Sequence, residues 1–205
     1  MGVADNGIYW HVIASTLFQG GAIVMGLAII ARLFSPQEWQ IRGVDMRLAN
    51  GTMAALLAVW SLVFAVLAMV TGIWMTWGYE AVSSTSLTIN KEMFGTFALL
   101  ALMLMLWIRY RYGPALWNDT ALKLTYAALG LLTTLAATVN GSLGGEAGLL
   151  GTALADIWDF LGVDPANPMV LSTAGGVTFL AVVLFAVLCV AGVATLRRLR
   201  RRALY

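Results

Sequence analysis

Apolar residues fall in this chain as long unbroken runs rather than at alternating positions. Five such runs lie at about 11–34, 52–78, 91–112, 121–140 and 169–196. A helix rises ~1.5 Å per residue, so each run is long enough to cross a hydrocarbon layer ~30 Å thick. The breaks between runs have local causes. Ser35-Pro36 ends the first and Gly113-Pro114 the third, because proline cannot continue a helix and restricts the residue before it. The stretch up to Gly51 carries Glu38, Arg42, Asp45 and Arg47, and Glu80 to Asn90 is a polar loop rich in Ser and Thr. Tyr9, Trp10, Trp74, Trp77, Tyr79, Trp107, Tyr110 and Tyr112 collect near run ends, as aromatics do at membrane interfaces. Residues 1–10 read as a short polar tail. The predicted fold class is all-α: a single integral membrane helical bundle over 1–205 with five transmembrane helices.

Charge orients these runs. Met169 to Leu196 has no charged residue, and Arg197, Arg198, Arg200, Arg201 and Arg202 follow in a basic tail, 197–205. Clustered arginines stay on the cytoplasmic side, which places the C-terminus inside and, with five spans, the N-terminus outside. Arg32, Arg42, Arg47, Arg109, Arg111 and Lys123 then join the tail on the inner side, leaving Lys91 as the one basic residue outside. The outer connection between the fourth and fifth runs carries Glu146, Asp156, Asp159 and Asp164. It opens with Asn140-Gly141-Ser142-Leu143-Gly144-Gly145-Glu146, read as a flexible turn. Apolar residues at helical spacing over about 148–161, among them Ile157, Trp158 and Leu161, then predict a short amphipathic outer helix lying on the surface or against a partner.

Composition agrees with lipid as the solvent. Of 205 residues, 60% are hydrophobic and 11% charged, against roughly 25% charged in soluble domains, and mean hydropathy is +0.85. The expected location is the inner (cytoplasmic) membrane, crossed several times. A net charge of +2, carried by short turns and the tail, is topology signal and argues against nucleic-acid binding. The first run lacks a preceding basic residue and is read as a retained span rather than a cleaved signal. The lone Cys189 excludes an internal disulfide.

Candidate chemistry is sparse. No phosphate-binding glycine loop, Ser-His-Asp set or CxxC is present, and one histidine with one cysteine excludes a metal cluster built from several such side chains. No catalytic residue is predicted. Arg32, Lys91 and Glu92 sit at run ends, where long side chains snorkel, so an ion pump is not expected. His11 is the most informative residue. Ser15, Gln19, Ala22 and Gly26 share its face, a small and polar stripe suited to a helix or a flat ring. The plain reading of His11 is an interfacial residue hydrogen-bonded to a loop or lipid. Beside it stand one haem b, with Lys91 or Met93 as the second ligand, and a chlorophyll-type pigment. Thr133, Thr134, Thr138 and Asn140 read as helix packing and back-bonding to the helix's own carbonyls.

Two short motifs, Gly43-Val44-Asp45 before the second run and Gly144-Gly145-Glu146 after the fourth, resemble a family of small bacterial and archaeal membrane proteins of unknown function. The resemblance spans about half the chain and implies about four spans, with histidines near the start of the first and third. His11 matches the first; the third falls at Asn90-Lys91-Glu92-Met93, which lacks histidine. By analogy the resemblance implies association with electron-transfer proteins.

The resulting expectation is a non-catalytic integral subunit. It would anchor and position other subunits of a respiratory or electron-transfer complex, with other integral membrane subunits, an outer-side protein and lipid as partners. The small residues Gly20, Gly21, Gly26, Gly130, Gly175, Gly176 and Gly192, together with Trp158 on the outer helix, would pack against them. The alternative is a one-haem cytochrome b subunit passing electrons between an outer-side partner and the quinone pool.

Overall fold

The computed structural model describes residues 3–36, 38–78, 80, 84–147, 154–162, 164 and 167, without the side chains of 3–6, 76–77 and 146–147. The chain divides into two units, Met1–Asn167 and Pro168–Tyr205. The expected fifth span, the basic tail and residues 148–153 of the expected outer helix lie outside the described residues.

Four helices are long and apolar enough to cross a membrane. Helix α1 covers Val3–Phe34, so the expected polar tail is in fact helical. No proline interrupts 3–10, and a helix once nucleated adds one hydrogen bond for each residue fixed. After Ser35 the chain makes a small hairpin, β1 (Gln40–Ile41) against β2 (Val44–Asp45), in antiparallel register with Gln40 opposite Asp45. Its turn needs two positive φ angles, 51° at Arg42 and 81° at Gly43, the backbone that two-residue hairpin turns demand. Asp45 then caps α2 (Met46–Val70), its Oδ1 accepting from the backbone of Arg47 at 2.8 Å and Leu48 at 3.1 Å. The charged connection expected up to Gly51 is therefore a folded hairpin, and the helix begins earlier than expected.

Helix α2 widens into a π-helical segment, Thr71–Trp77, which ends at Gly78 with φ 74°. Thr85 caps α3 (Ser86–Tyr112), so the second half of the expected polar loop is helical too. A 3-10 segment, Gly113–Asn118, makes the turn, and Asp119 caps α4 (Thr120–Ala147). The stretch Asn140–Glu146, expected to be a flexible turn, instead continues α4. Its glycines are used for close approach rather than for bending, as the site geometry below makes plain. A short helix, α5 (Ala155–Leu161), follows and stops at Gly162, whose φ is 64°.

The long helices close a ring: α1 packs most extensively on α2, α2 on α3, α3 on α4 and α4 back on α1. Short connections make neighbours antiparallel. The inner faces mix small residues, among them Ala22 on α1, Ala54 and Ala58 on α2, Ala98 on α3, and Ala136 and Ala137 on α4, with larger ones such as Phe18, Met105 and Tyr126. The outward faces carry large apolar side chains as well: Leu27, Leu56, Val63, Met103 and Leu135 are all exposed. A bundle in water carries polar residues on those faces instead.

Candidate functional site

The polar residues of the bundle gather at its two ends. At one end, His11 of α1 faces the junction of α2 with the π-helical segment. Its Nδ1 lies 2.8 Å from the Ala68 carbonyl oxygen. A carbonyl only accepts, so Nδ1 carries the proton and a neutral ring presents Nε2 as an acceptor. Two donors converge on Nε2: Ser15 Oγ and Lys91 Nζ, each at 3.3 Å. The Ala68 carbonyl lies where the helix changes register, and it also accepts from the Thr71 backbone N–H and from Thr71 Oγ1 at 3.2 Å.

Lys91 is set by α3 and α4 together. The sequence placed it at a span end, free to reach outward. In the structure it sits in the second turn of α3, half-buried, with its ammonium on His11. Its stem crosses α4 at Gly144, where a Cβ would stand 3.4 Å from Lys91 Cε. Next to it Asn140 donates from Nδ2 to the Lys91 carbonyl oxygen at 2.6 Å, beside Gly95. Asn90, fully buried, donates from Nδ2 to the Asn167 carbonyl at 2.8 Å, tying the segment after α5 to α3.

This arrangement does not fit a haem between His11 and a ligand from α3. The two nitrogens that would flank the iron, His11 Nε2 and Lys91 Nζ, already touch at 3.3 Å, with no gap for a macrocycle. Met93 lies two residues on, about 200° around the helix, and so faces away from His11 when Lys91 faces toward it.

The remaining predicted residues divide between packing and polar contact. Ser15 joins the His11 cluster. Gln19 lies flat over α4, its amide filling the space where a Cβ on Gly141 would sit. Gly26 lets α4 approach closely: a Cβ there would meet Thr134 Oγ1 at 2.5 Å, and Thr134 donates to the Ala22 carbonyl at 2.7 Å. The stripe below His11 thus packs against a helix. Thr133, Thr134 and Thr138 each bond the carbonyl four residues back, as their spacing predicted; Asn140 instead crosses to α3. Trp158, half-buried on α5, donates from Nε1 to Ser142 Oγ at 3.1 Å, while Ile157, Phe160 and Leu161 are exposed.

The other end holds a cluster that sequence reasoning missed, because it treated Arg32 as a snorkelling residue and did not consider Trp117. The Arg32 guanidinium lies over the Trp117 ring, 5.0 Å from its centroid, a cation–π arrangement. Trp117 in turn meets Tyr126 edge-on at 5.4 Å. Gly51 of α2 backs this group: a Cβ there would lie 3.0 Å from Trp117 Nε1 and 3.4 Å from Arg32 Nε. Arg47, one turn before Gly51, and Asp45 both act electrostatically on Arg32. The buried donor atoms Arg32 Nε, Arg47 Nε, Trp117 Nε1 and the Tyr126 hydroxyl have no hydrogen-bond partner among the described residues. The signal for this cluster was an arginine at a helix end with a tryptophan just past another, but nothing in the spacing paired them.

No protein-family model, no curated protein and no solved structure matches this chain.

Proposed function

We propose that the chain is a non-catalytic integral membrane subunit, crossing the inner membrane five times with its N-terminus outside, that anchors and positions other subunits of a larger complex. The observation carrying the partner reading is α5. It is held to α4 through Trp158 and Ser142, yet it turns Ile157, Phe160 and Leu161 outward, Phe160 with 88% of its surface exposed. A short helix fixed through Trp158 that exposes Ile157, Phe160 and Leu161 beside Asp156 and Asp159 suits docking of an outer-side protein. Large outward-facing side chains on α1 to α4 support lipid as the solvent, since helices in lipid meet through small residues. The fifth span, 169–196, and the orientation rest on the apolar run and the arginine bias. Assignment to a respiratory or electron-transfer complex rests on the sequence resemblance alone.

Gentle solubilisation followed by a native gel tests the subunit reading: the chain is expected to migrate far above its 22.0 kDa mass with co-purifying subunits. A lone monomer there would overturn it. Protease added to intact cells tests the orientation, with cleavage expected in 141–168 and not in the tail. The one-haem alternative requires a Soret band that His11→Ala abolishes. The His11–Lys91 contact argues against it, and no such band is expected.

A further inference from the structure

The Arg32 end is chemically unlike the rest of the bundle. Elsewhere the buried polar side chains mostly close on acceptors within the chain. Here two guanidinium groups and an indole N–H, from α1, α2 and the 3-10 segment, are gathered with donor atoms that nothing described accepts from. Trp117 and Tyr126 are themselves more than nine-tenths buried. Leaving a charged donor desolvated without an acceptor is costly, and two neighbouring cations add repulsion. Asp45 acts on Arg32 electrostatically but leaves Arg32 Nε and Arg47 Nε without a hydrogen bond among the described residues. Arg47 and Gly51 are four residues apart, on one face of α2, and Gly51 is where Arg32 and Trp117 meet that helix. The missing side chain at Gly51 lets α2 pack directly against both donors, which leaves the outer guanidinium nitrogens as the groups an incoming anion would meet first.

We propose that Arg32, Arg47 and Trp117 form a binding site for the phosphate of an anionic phospholipid in the cytoplasmic leaflet. The proposal rests on the membrane-spanning reading above. A phosphate diester offers several strong acceptors and a negative charge, which the planar guanidinium fork engages in pairs. Basic pockets between helices on the cytoplasmic side take anionic head groups for this reason. The aromatic wall of Trp117 and Tyr126 suits the glycerol and ester region below the phosphate, where ring surface meets chain and N–H or O–H meets carbonyl. A soluble phosphate shares the first part of this chemistry and lacks the second.

Native mass spectrometry of the full chain in neutral detergent, titrated with phosphatidylglycerol or phosphatidylcholine, tests the site. Wild-type protein is expected to retain phosphatidylglycerol about tenfold more tightly, a difference that Arg32→Gln with Arg47→Gln removes and that Arg32→Lys with Arg47→Lys only partly restores. Arg111→Gln, which removes one positive charge from an exposed position in the last turn of α3, is expected to leave the preference unchanged. Equal binding of the two lipids, or an equal loss in Arg111→Gln, would overturn the site. Displacement of the lipid by equimolar inorganic phosphate would overturn the lipid assignment in favour of a soluble anion. Alkaline carbonate extraction of cell membranes separates the two readings. Release of the chain removes the membrane reading; retention together with equal lipid binding removes the site alone.

Discussion

The two ends of the bundle use polar residues in opposite ways. At the His11 end, contacts run between helices: α1 to α2 through His11 and Ala68, α1 to α3 through His11 and Lys91, and α3 to α4 through Asn140. At the Arg32 end the side chains stack on one another, guanidinium over indole and indole against phenol, while Arg32 Nε, Trp117 Nε1 and the Tyr126 hydroxyl have no hydrogen-bond partner among the described residues. The first end is closed by its own chemistry and stabilises the bundle. The second is held by ring contacts and depends on an acceptor from elsewhere. Polar residues in an apolar bundle therefore do not have one meaning; the partner of each donor decides it.

Substitutions at the two ends can break this contrast. The largest effect is expected at the seam that serves both, where Gly26→Val drives a branched side chain into Thr134 and breaks its bond to Ala22. Overpacking of this kind costs about 3 kcal/mol, read as a lowered unfolding midpoint in detergent. Next is Asn140→Leu at the His11 end. Loss of the 2.6 Å bond to the Lys91 carbonyl is expected to cost ~1–2 kcal/mol, and a neutral result there would mean the end is not cross-linked in the way described. Trp60→Phe removes a single donor to the Leu17 carbonyl at 3.2 Å and is expected to cost about 0.6 kcal/mol by the same assay. The smallest effect is expected from Arg32→Gln in lipid-free detergent, within about 0.5 kcal/mol of wild type, because loss of the cation–π contact with Trp117 is offset by relief of a buried charged donor that has no acceptor among the described residues. A large destabilisation there would erase the contrast between the ends.

Parts of this arrangement were legible in the residues. Pro36 and Pro114 fall where chain breaks were expected, whereas the capping roles of Asp45 and Asp119 were not anticipated. The threonine back-bonds of α4 followed from their spacing. Other parts misled. The glycines of Gly141-Ser142-Leu143-Gly144-Gly145 resemble turn formers, yet Gly141 and Gly144 sit in a helix because Gln19 and Lys91 need the space. A glycine wanted for close approach and one wanted for backbone freedom are the same letter. Lys91 looked like a snorkelling residue because its distance from a run end is visible, whereas the direction of its side chain is not.

What the residues determined by themselves is the number of the described apolar helices and where three of the four stop. Hydrophobicity and capping act over one or two turns, so a local reading suffices for them. Tertiary structure alone decided that His11 meets Lys91, and that Arg32 lies over Trp117, 85 positions away in the chain. Both pairings depend on how each helix is rotated and staggered against its neighbours. Small-residue packing sets that rotation, and an apolar run facing lipid reads the same as one facing protein.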